Sequence, residues 1–449
     1  MSEQPQRSGD ARHAWRDLEA HDLPKRPTAE RSHDFAEAHV VFDEAEAQTQ
    51  ASRCIQCPTP NCVTQCPLGS HIQEWMLLTA EGRFGEAAEL VREAGALPEI
   101  CARTCPHDHL CEEGCVLNGP SAAVSIGALE QFLAAYQPAG AQPATRAGTS
   151  NGKRVAVVGT GPAALAAADE LCRRGYAVEV FGEEVPPSAP LGFGAAPFRL
   201  DPSLVDRRWE MLAGAGVVFR SGVHPGESPT LSELQGRFDA VFVGLDARKA
   251  RPLEVSGRDL EGVIAGEDFL VRAAGPRRAA LVGQRVVVIG EDDLAVDCVR
   301  AAVRAEASEV VGVVRCSEEA MSAGRREFED AREEGVHFLF SASPVAVESG
   351  PDGRVSGLQV EAAGESTALA ADMVVVCLGF DSAPTVLRGD LETLHGEGSV
   401  AVPVDERQMT RVRGVFAGGD LVHGPCLVVQ AVHDAHVAAQ GIDRYLGVV

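Results

Sequence analysis

The 449-residue sequence predicts an α/β chain that opens with an α-helical domain, on three observations. Eight of the thirteen cysteines fall between residues 54 and 115, among segments with helical patterning. Past a stretch rich in Pro, Gly, Ala and Thr at 138–152, the texture changes to apolar strands that run into glycine turns and helices. That strand–turn–helix unit begins twice, at Lys153 and at Gln284, which predicts two Rossmann-like dinucleotide-binding domains.

A chain of this length exceeds what one hydrophobic core supports, so two or three domains are expected. The 45% hydrophobic content is ordinary for a globular protein. No run of eighteen or more apolar residues occurs, so no membrane span is expected. The opening MSEQPQRSGD lacks the apolar core of a secretory signal. A cytoplasmic location is therefore expected, where thiols stay reduced and clustered cysteines serve metals rather than disulfides. The formal net charge of −25 argues against nucleic acid, whose binding needs a basic footprint. Such acidity keeps a surface soluble and also suits the steering of a basic partner.

Residues 1–50 are polar, with a helical stretch from Asp34 to Ala47. The segment His71 to Ala94 (HIQEWMLLTAEGRFGEAAELVREA) reads as helical, and another helix is expected from Ala122 to Tyr136. Residues 138–152 read as an inter-domain linker. Lys153–Gly159 (KRVAVVG) predicts a buried strand, then a turn, a helix through Arg174 and a strand at Ala177–Phe181. The second unit has a strand from Gln284 (QRVVVIG), a helix from Leu294 to Ala305 and a strand at Glu309–Val314. A shorter pattern, Gly414–Asp420 (GVFAGGD), leads into a helix that ends near Tyr445.

The cysteines form two quartets, Cys54-x2-Cys57-x4-Cys62-x3-Cys66-Pro67 and Cys101-x3-Cys105-Pro106-x4-Cys111-x3-Cys115. Steps this short bring sulfurs into one loop or onto one helical face, which is ligand spacing rather than core packing. Four thiolates suit a 4Fe–4S cube or a tetrahedral zinc; disulfides and unconnected core thiols are the other readings. In bacterial ferredoxin runs the cysteine before proline ligates the other cluster, and Cys66-Pro67 invites the same crossing. Cys172, Cys298, Cys316 and Cys377 lie singly and read as small apolar fillers. Cys426 stands out because it follows Gly418-Gly419-Asp420. His107, His109, His423, His433 and His436 show no metal spacing of their own.

The first glycine turn is Gly159-Thr160-Gly161-Pro162-Ala163-Ala164. Gly159 permits the tight turn, Gly161 lets the backbone approach a pyrophosphate at the helix N-terminus, and Ala164 allows close helix–strand packing. The acidic residue expected after the second strand, to bind a ribose, is Gly182, with Glu183 and Glu184 following as substitutes. The second turn reads Gly290-Glu291-Asp292-Asp293-Leu294-Ala295. Asp292 stands where a glycine should meet the pyrophosphate, and three adjacent carboxylates repel phosphate. Arg315, after the next strand, is placed either to meet a 2′-phosphate or to sit solvated on the surface. No residue is singled out as catalytic.

These motifs resemble the small (beta) chain of NADPH-dependent glutamate synthase and the homologous N-terminal half of dihydropyrimidine dehydrogenase. The likeness runs from about Arg31 to Leu446 and rests first on the two quartets, Pro98-Glu99-Ile100 and Cys111-Glu112-Glu113-Gly114-Cys115. Ile126-Gly127 ahead of Glu130-Gln131, the GTGPAAL turn, Phe198-Arg199-Leu200 and Phe238-Asp239-Ala240-Val241-Phe242 continue it. VVVIG, Met321 with Ala323, and GVFAGGD complete it.

The resemblance implies two 4Fe–4S clusters, FAD on the first Rossmann domain and NADPH on the second. Carried over, Cys54, Cys57, Cys62 and Cys115 would hold one cluster. Cys66, Cys105, Cys111 and Gln131, with Glu130 as the neighbouring alternative, would hold the other, leaving Cys101 spare. It also implies a discontinuous flavin domain with the second Rossmann domain inserted into it, because GVFAGGD resembles the family's C-terminal flavin segment. The expected extents are 1–140 for the cluster domain, 153–250 and 381–449 for the flavin domain, and 251–380 for the nicotinamide-type domain. Gly419 and Asp420 would meet the flavin, Asp420 through its ribityl chain, and Gly290 and Arg315 the nicotinamide nucleotide. The sequence departs from the family at Ser188-Ala189-Pro190, at Gly244-Leu245-Asp246 where Ala-Thr-Gly is usual, at the second turn, and at Arg315-Cys316 where two arginines are usual.

By resemblance, hydride passes from NADPH to FAD, which converts it into single electrons for the clusters and a separate catalytic or electron-accepting subunit. None of these 449 residues is expected to form a glutamine-hydrolysing or pyrimidine-reducing domain, so an electron-transfer subunit is expected. The altered second turn favours an alternative, a flavin/iron–sulfur electron-transfer or scaffolding subunit that has lost NAD(P)H oxidation.

Overall fold

The computed structural model describes residues 11–137, 147–183, 194–223, 228–381, 394–396 and 399–448. Its N-terminal domain is helical: α1 (Thr28–Arg31), α2 (Glu44–Ala51), α3 (Asn61–Gln65), α4 (Ile72–Ala80), α5 (Phe84–Ala94), α6 (Pro98–Thr104) and α7 (Ile126–Ala135). The helix expected from Asp34 starts only at Glu44, where Asp43 and Glu46 form a reciprocal capping box. The segment His71–Ala94 breaks into α4 and α5 because Gly82 turns with a φ of +76°. Phe84, Phe132 and Tyr136 pack with ring centroids 5.3–5.7 Å apart and close this domain's core.

The first Rossmann domain contains β1 (Arg154–Val158), α8 (Pro162–Arg173), β2 (Ala177–Phe181), α9 (Pro202–Gly214), β3 (Val218–Arg220), α10 (Leu231–Arg237) and β4 (Ala240–Val243). Short β5 (Lys249–Ala250) leads out of it. The second contains β6 (Val263–Ala265), α11 (Gly266–Ala274), β7 (Arg285–Ile289), α12 (Asp293–Arg304), β8 (Glu309–Val313), α13 (Arg325–Glu333) and β9 (His337–Leu339). An antiparallel meander follows, β10 (Ala342–Ser349), β11 (Val355–Ala362) and β12 (Glu365–Ala370), before β13 (Met373–Val376) re-enters the sheet. β14 (Phe380–Asp381) pairs back onto β5, so the chain leaves and returns through one two-stranded ribbon. A small hairpin, β15 (Leu394–Gly396) with β16 (Ser399–Ala401), precedes β17 (Val415–Ala417), α14 (Asp420–His423) and α15 (Val428–Leu446).

The two main sheets run β17-β4-β1-β2-β3 and β6-β13-β7-β8-β9, and their strands are parallel. Because β17 pairs with β4, the first domain is built from both sides of the second, which is inserted into it as expected. Covered on both faces, the central strands β1, β4, β7 and β13 read as continuous apolar runs. Among the described residues no helix is long and apolar enough to cross a membrane.

Gly159 carries a φ of +125°, and a Cβ there would lie 2.0 Å from the carbonyl oxygen of Gly244. Gly159→Ala is expected to destabilise the chain by at least the ~1–3 kcal/mol of that backbone strain, read from the urea midpoint.

A buried ionic seam joins the helical domain to the second Rossmann domain. Arg31, at the end of α1, reaches Glu334 at 3.2 Å, and Lys25 reaches Asp330 at 2.8 Å. From α12, Arg300 meets Asp330 and Glu334 at 3.1 and 3.0 Å, and Arg304 meets Glu334 at 2.6 Å. The guanidinium groups of Arg300 and Arg304 also stack over Phe198, 4.8 and 4.0 Å from its centroid.

Candidate functional site

The quartets do not stay apart. Cys54, Cys57 and Cys62 from the first and Cys115 from the second ring one cavity of about 30 Å3, walled by Ile72 and Met76 of α4. Among the described residues no three metal-binding side chains converge closely enough for a single ion; these four thiols surround a space instead. Burial, reinforced by neighbouring thiols, pushes Cys54 up to about 11 and Cys62 up to about 12. Thiols this crowded keep their protons unless a cationic group takes the protons' place.

The loops around this cradle are tightly tied. Fully buried Arg53 donates to the carbonyls of Leu18, Ala122 and Ala123 at 3.0–3.2 Å, fastening the segment after Cys115 beside Cys54. Gln56 holds a left-handed φ of 54°, and its amide lies 3.5 Å from the Cys54 sulfur. A Cβ on Gly114 would meet the Asn61 carbonyl at 2.9 Å, so only glycine lets the second loop lie against α3. None of these three supports was singled out in the sequence; Arg53 has the one local signal, adjacency to Cys54.

Cys66, Cys105 and Cys111 form a second group, and the carboxylate of Glu130 acts on all three thiols. Burial pushes Cys66 and Cys111 up, with Glu130 adding to it. Cys105 is driven up by its hydrogen bond with Cys101 and by burial, again with Glu130 contributing. Glu130 lies 3.7 Å from His107, whose ring packs on Gly127 at the start of α7. Gln131, 4% exposed, is the next residue and therefore points about 100° further around the helix. Cys101, 2% exposed, packs into the core shared with β1 and α8.

One cavity of about 800 Å3 lies where the helical domain meets both Rossmann domains. Its walls include Gly161 of the first turn, Gly419 and Asp420 after β17, and Asp292 of the second turn. Pro162, Ala163, Thr104 and Pro106 also line it, and Cys105 lies between the last two in sequence. Helices α8 and α15 start here without side-chain caps, so their positive ends face the cavity. Ala164, next along α8, stays close enough to β4 that a Cβ on Gly244 would lie 3.0 Å from its amide nitrogen. Asp420 accepts from Ala247 N at 2.9 Å and Cys426 N at 3.0 Å, while buried Asp434 accepts from Gly419 N at 2.8 Å. The Cys426 thiol is pushed up by burial and by Asp420, which suits a packed thiol rather than a nucleophile. Glu183 is exposed beyond β2 and does not line the cavity; Glu184 and Ser188-Ala189-Pro190 lie outside the described residues.

At the second turn, Gly290 still packs against Cys377, where a Cβ would meet the carbonyl at 2.5 Å. Asp292 caps α12 itself, its carboxylate accepting from Ala295 N at 3.0 Å. Asp293 accepts from Gly324 N at 2.9 Å and pairs with Arg199 at 3.1 Å. Arg315 pairs with Glu291 at 3.3 Å, so the expected phosphate clamp is held by the turn's own acid.

Two parallel-sheet nucleotide domains around one cleft, with a cysteine-cradle domain at its edge, define an iron–sulfur flavoprotein oxidoreductase. A family model for dihydropyrimidine dehydrogenase domain II, 4Fe-4S cluster, matches residues 31–141, and one for pyridine nucleotide-disulphide oxidoreductase matches residues 205–435. The chain belongs to the family of the NADPH glutamate synthase small chain. It is 36% identical to that chain from Escherichia coli (strain K12), across 96% of this sequence and 98% of the other. The small chain of Azospirillum brasilense is also 36% identical, across 94% and 93%. The NAD-dependent dihydropyrimidine dehydrogenase subunit PreT of Escherichia coli O157:H7 is 31% identical, across 90% and 96%. In fold, the chain is similar to Mycobacterium tuberculosis FprA (TM-score 0.54, 20% identity, covering 66% of this chain and 85% of that one). It is likewise similar to Lactococcus lactis thioredoxin reductase (TM-score 0.53, 21% identity, covering 66% and 100%). The protein is an FAD-dependent, iron–sulfur electron-transfer subunit of this family.

Proposed function

We propose that the chain carries electrons between FAD on the first Rossmann domain, two 4Fe–4S clusters and a separate catalytic or electron-accepting subunit, without oxidising NAD(P)H itself. FAD exchanges electrons in pairs and 4Fe–4S clusters singly, which is the chemistry these groups supply when bound. The first turn fits FAD: the cavity is within the roughly 300–1,000 Å3 of cofactor-sized sites, and two uncapped helix ends face it. Gly159, Gly161, Pro162, Ala163 and Ala164 would cradle its pyrophosphate, and Gly419 and Asp420 would meet its flavin end.

The second turn does not fit a dinucleotide. Its anion-binding helix end is already filled by the chain's own Asp292, and this observation carries the loss of NAD(P)H oxidation.

Cys54, Cys57, Cys62 and Cys115 would hold one cluster. Cys66, Cys105, Cys111 and Gln131, with Glu130 as the neighbouring alternative, would hold the other; Gln131 is buried on α7 and the Glu130 carboxylate acts on all three thiols. The second cradle abuts the flavin cleft through Thr104 and Pro106. The first lies near the surface, beside the partly exposed Val116.

The test is anaerobic mixing of cofactor-loaded protein with NADPH and with NADH while flavin absorbance is followed. No bleaching with either is expected; prompt bleaching with one of them overturns the proposal. Such bleaching would support a second reading, an NAD(P)H-oxidising subunit, which the NADPH in the relatives' names favours.

A further inference from the structure

We infer that Asp246 is a charge gate on flavin binding: its carboxylate stands in the approach to Gly161, and FAD binds tightly only when that carboxylate is neutral. The inference rests on the assignment of the first turn to FAD. Gly161 caps α8, and its missing side chain is what would let a pyrophosphate reach the helix amides. That space is taken. A Cβ on Gly161 would lie 1.9 and 2.2 Å from the two carboxylate oxygens of Asp246. The chain's own carboxylate therefore sits against the helix end where a phosphate would have to come.

The neighbours of Asp246 make its charge costly. Asp420, at the start of α14, and Glu267, in the first turn of α11, face it as like charges, and the Cys426 thiol lies near it from the loop before α15. Arg248 is the opposing cation, 3.7 Å away, but it is largely exposed and also reaches Thr160 at 3.4 Å. Burial, with Asp420 adding to it, raises the Asp246 carboxyl to about 7, so both proton states are populated near neutrality. The α8 dipole favours the charged state, but Asp246 makes no capping hydrogen bond to α8, so it obstructs the helix end without capping it as Asp292 caps α12. Protonated, Asp246 no longer repels a pyrophosphate. Rising pH charges the group, so affinity for FAD falls as pH passes upward through 7.

The test is equilibrium dialysis of the full-length, cluster-loaded chain against FAD at pH 6, 7 and 8, for the native protein, Asp246→Asn and Asp246→Gly. For a single carboxyl titrating near 7 that must be protonated, the native affinity is expected to fall about tenfold between pH 6 and pH 8. Both variants are expected to bind more tightly than the native chain at pH 8, with flat profiles. Tight native binding that is flat with pH and equal in both variants overturns the gate while leaving the flavin site standing. A pH profile that persists in Asp246→Asn also overturns it. Absence of FAD binding in all three proteins at pH 6, with unchanged circular dichroism, overturns the flavin assignment and the gate together.

Discussion

On the two-cluster proposal, Cys115→Ser is expected to empty one cluster, lowering iron from about eight to about four per chain, while Cys101→Ser leaves both in place. The two cysteines belong to the same quartet in sequence, so a model with one cluster per quartet predicts equal losses for both. The structure separates them. Cys115 rings a cavity with Cys54, Cys57 and Cys62, whereas Cys101 packs into the core beneath the first Rossmann sheet. Iron analysis with visible absorption of anaerobically purified variants distinguishes the two arrangements. Equal iron loss in the two variants would rule out the crossing.

Arg300→Met is expected to cost about 3–5 kcal/mol, the penalty for leaving buried charge unpaired, and to lower the urea midpoint accordingly. Arg300 is fully buried among Glu327, Asp330 and Glu334, and methionine keeps most of the packing on Phe198 while removing the cation. The seam should also respond to acid. Burial pushes the Glu334 carboxyl up, but Arg304 and Arg300 outweigh it and hold the group at about 2, below the 4.5 of a free glutamate. A depressed carboxyl stabilises the fold fully above its unfolded value, and that contribution is lost as pH falls from about 4.5 towards 2. The native chain should therefore lose stability across that window, and Arg300→Met should lose less there.

The parts of the fold written in local pattern were legible in advance. Continuous apolar runs at 154–158 and 285–289 mark strands buried on both faces, and both appear with nearly the expected limits. The break at Gly82 and the late start at Glu44 were missed because long helical periodicity hides a turn and a cap. At the site, Cys66-Pro67 suggested a crossing between the quartets in advance, while which thiols meet in space depends on how α3, α6 and α7 pack. Gln131 and Glu130 are neighbours on α7, and sequence spacing alone does not separate them as the fourth ligand. Asp246 was visible as a departure from the family pattern, yet its place over Gly161 depends on β4 lying beside β1.

The ionic seam bears on distance. Electron tunnelling weakens steeply with separation, so the gap between the flavin cleft and the cysteine cradles has to be held constant. Arg31 and Lys25 anchor the helical domain to α13 and its C-terminal cap, and the β5–β14 ribbon ties that helix's domain back to the flavin domain. The second Rossmann domain thereby closes a mechanical loop around the cleft. On the proposal that its nucleotide turn is filled by its own carboxylates, the domain would still act as a spacer, kept for the length it maintains rather than for a ligand.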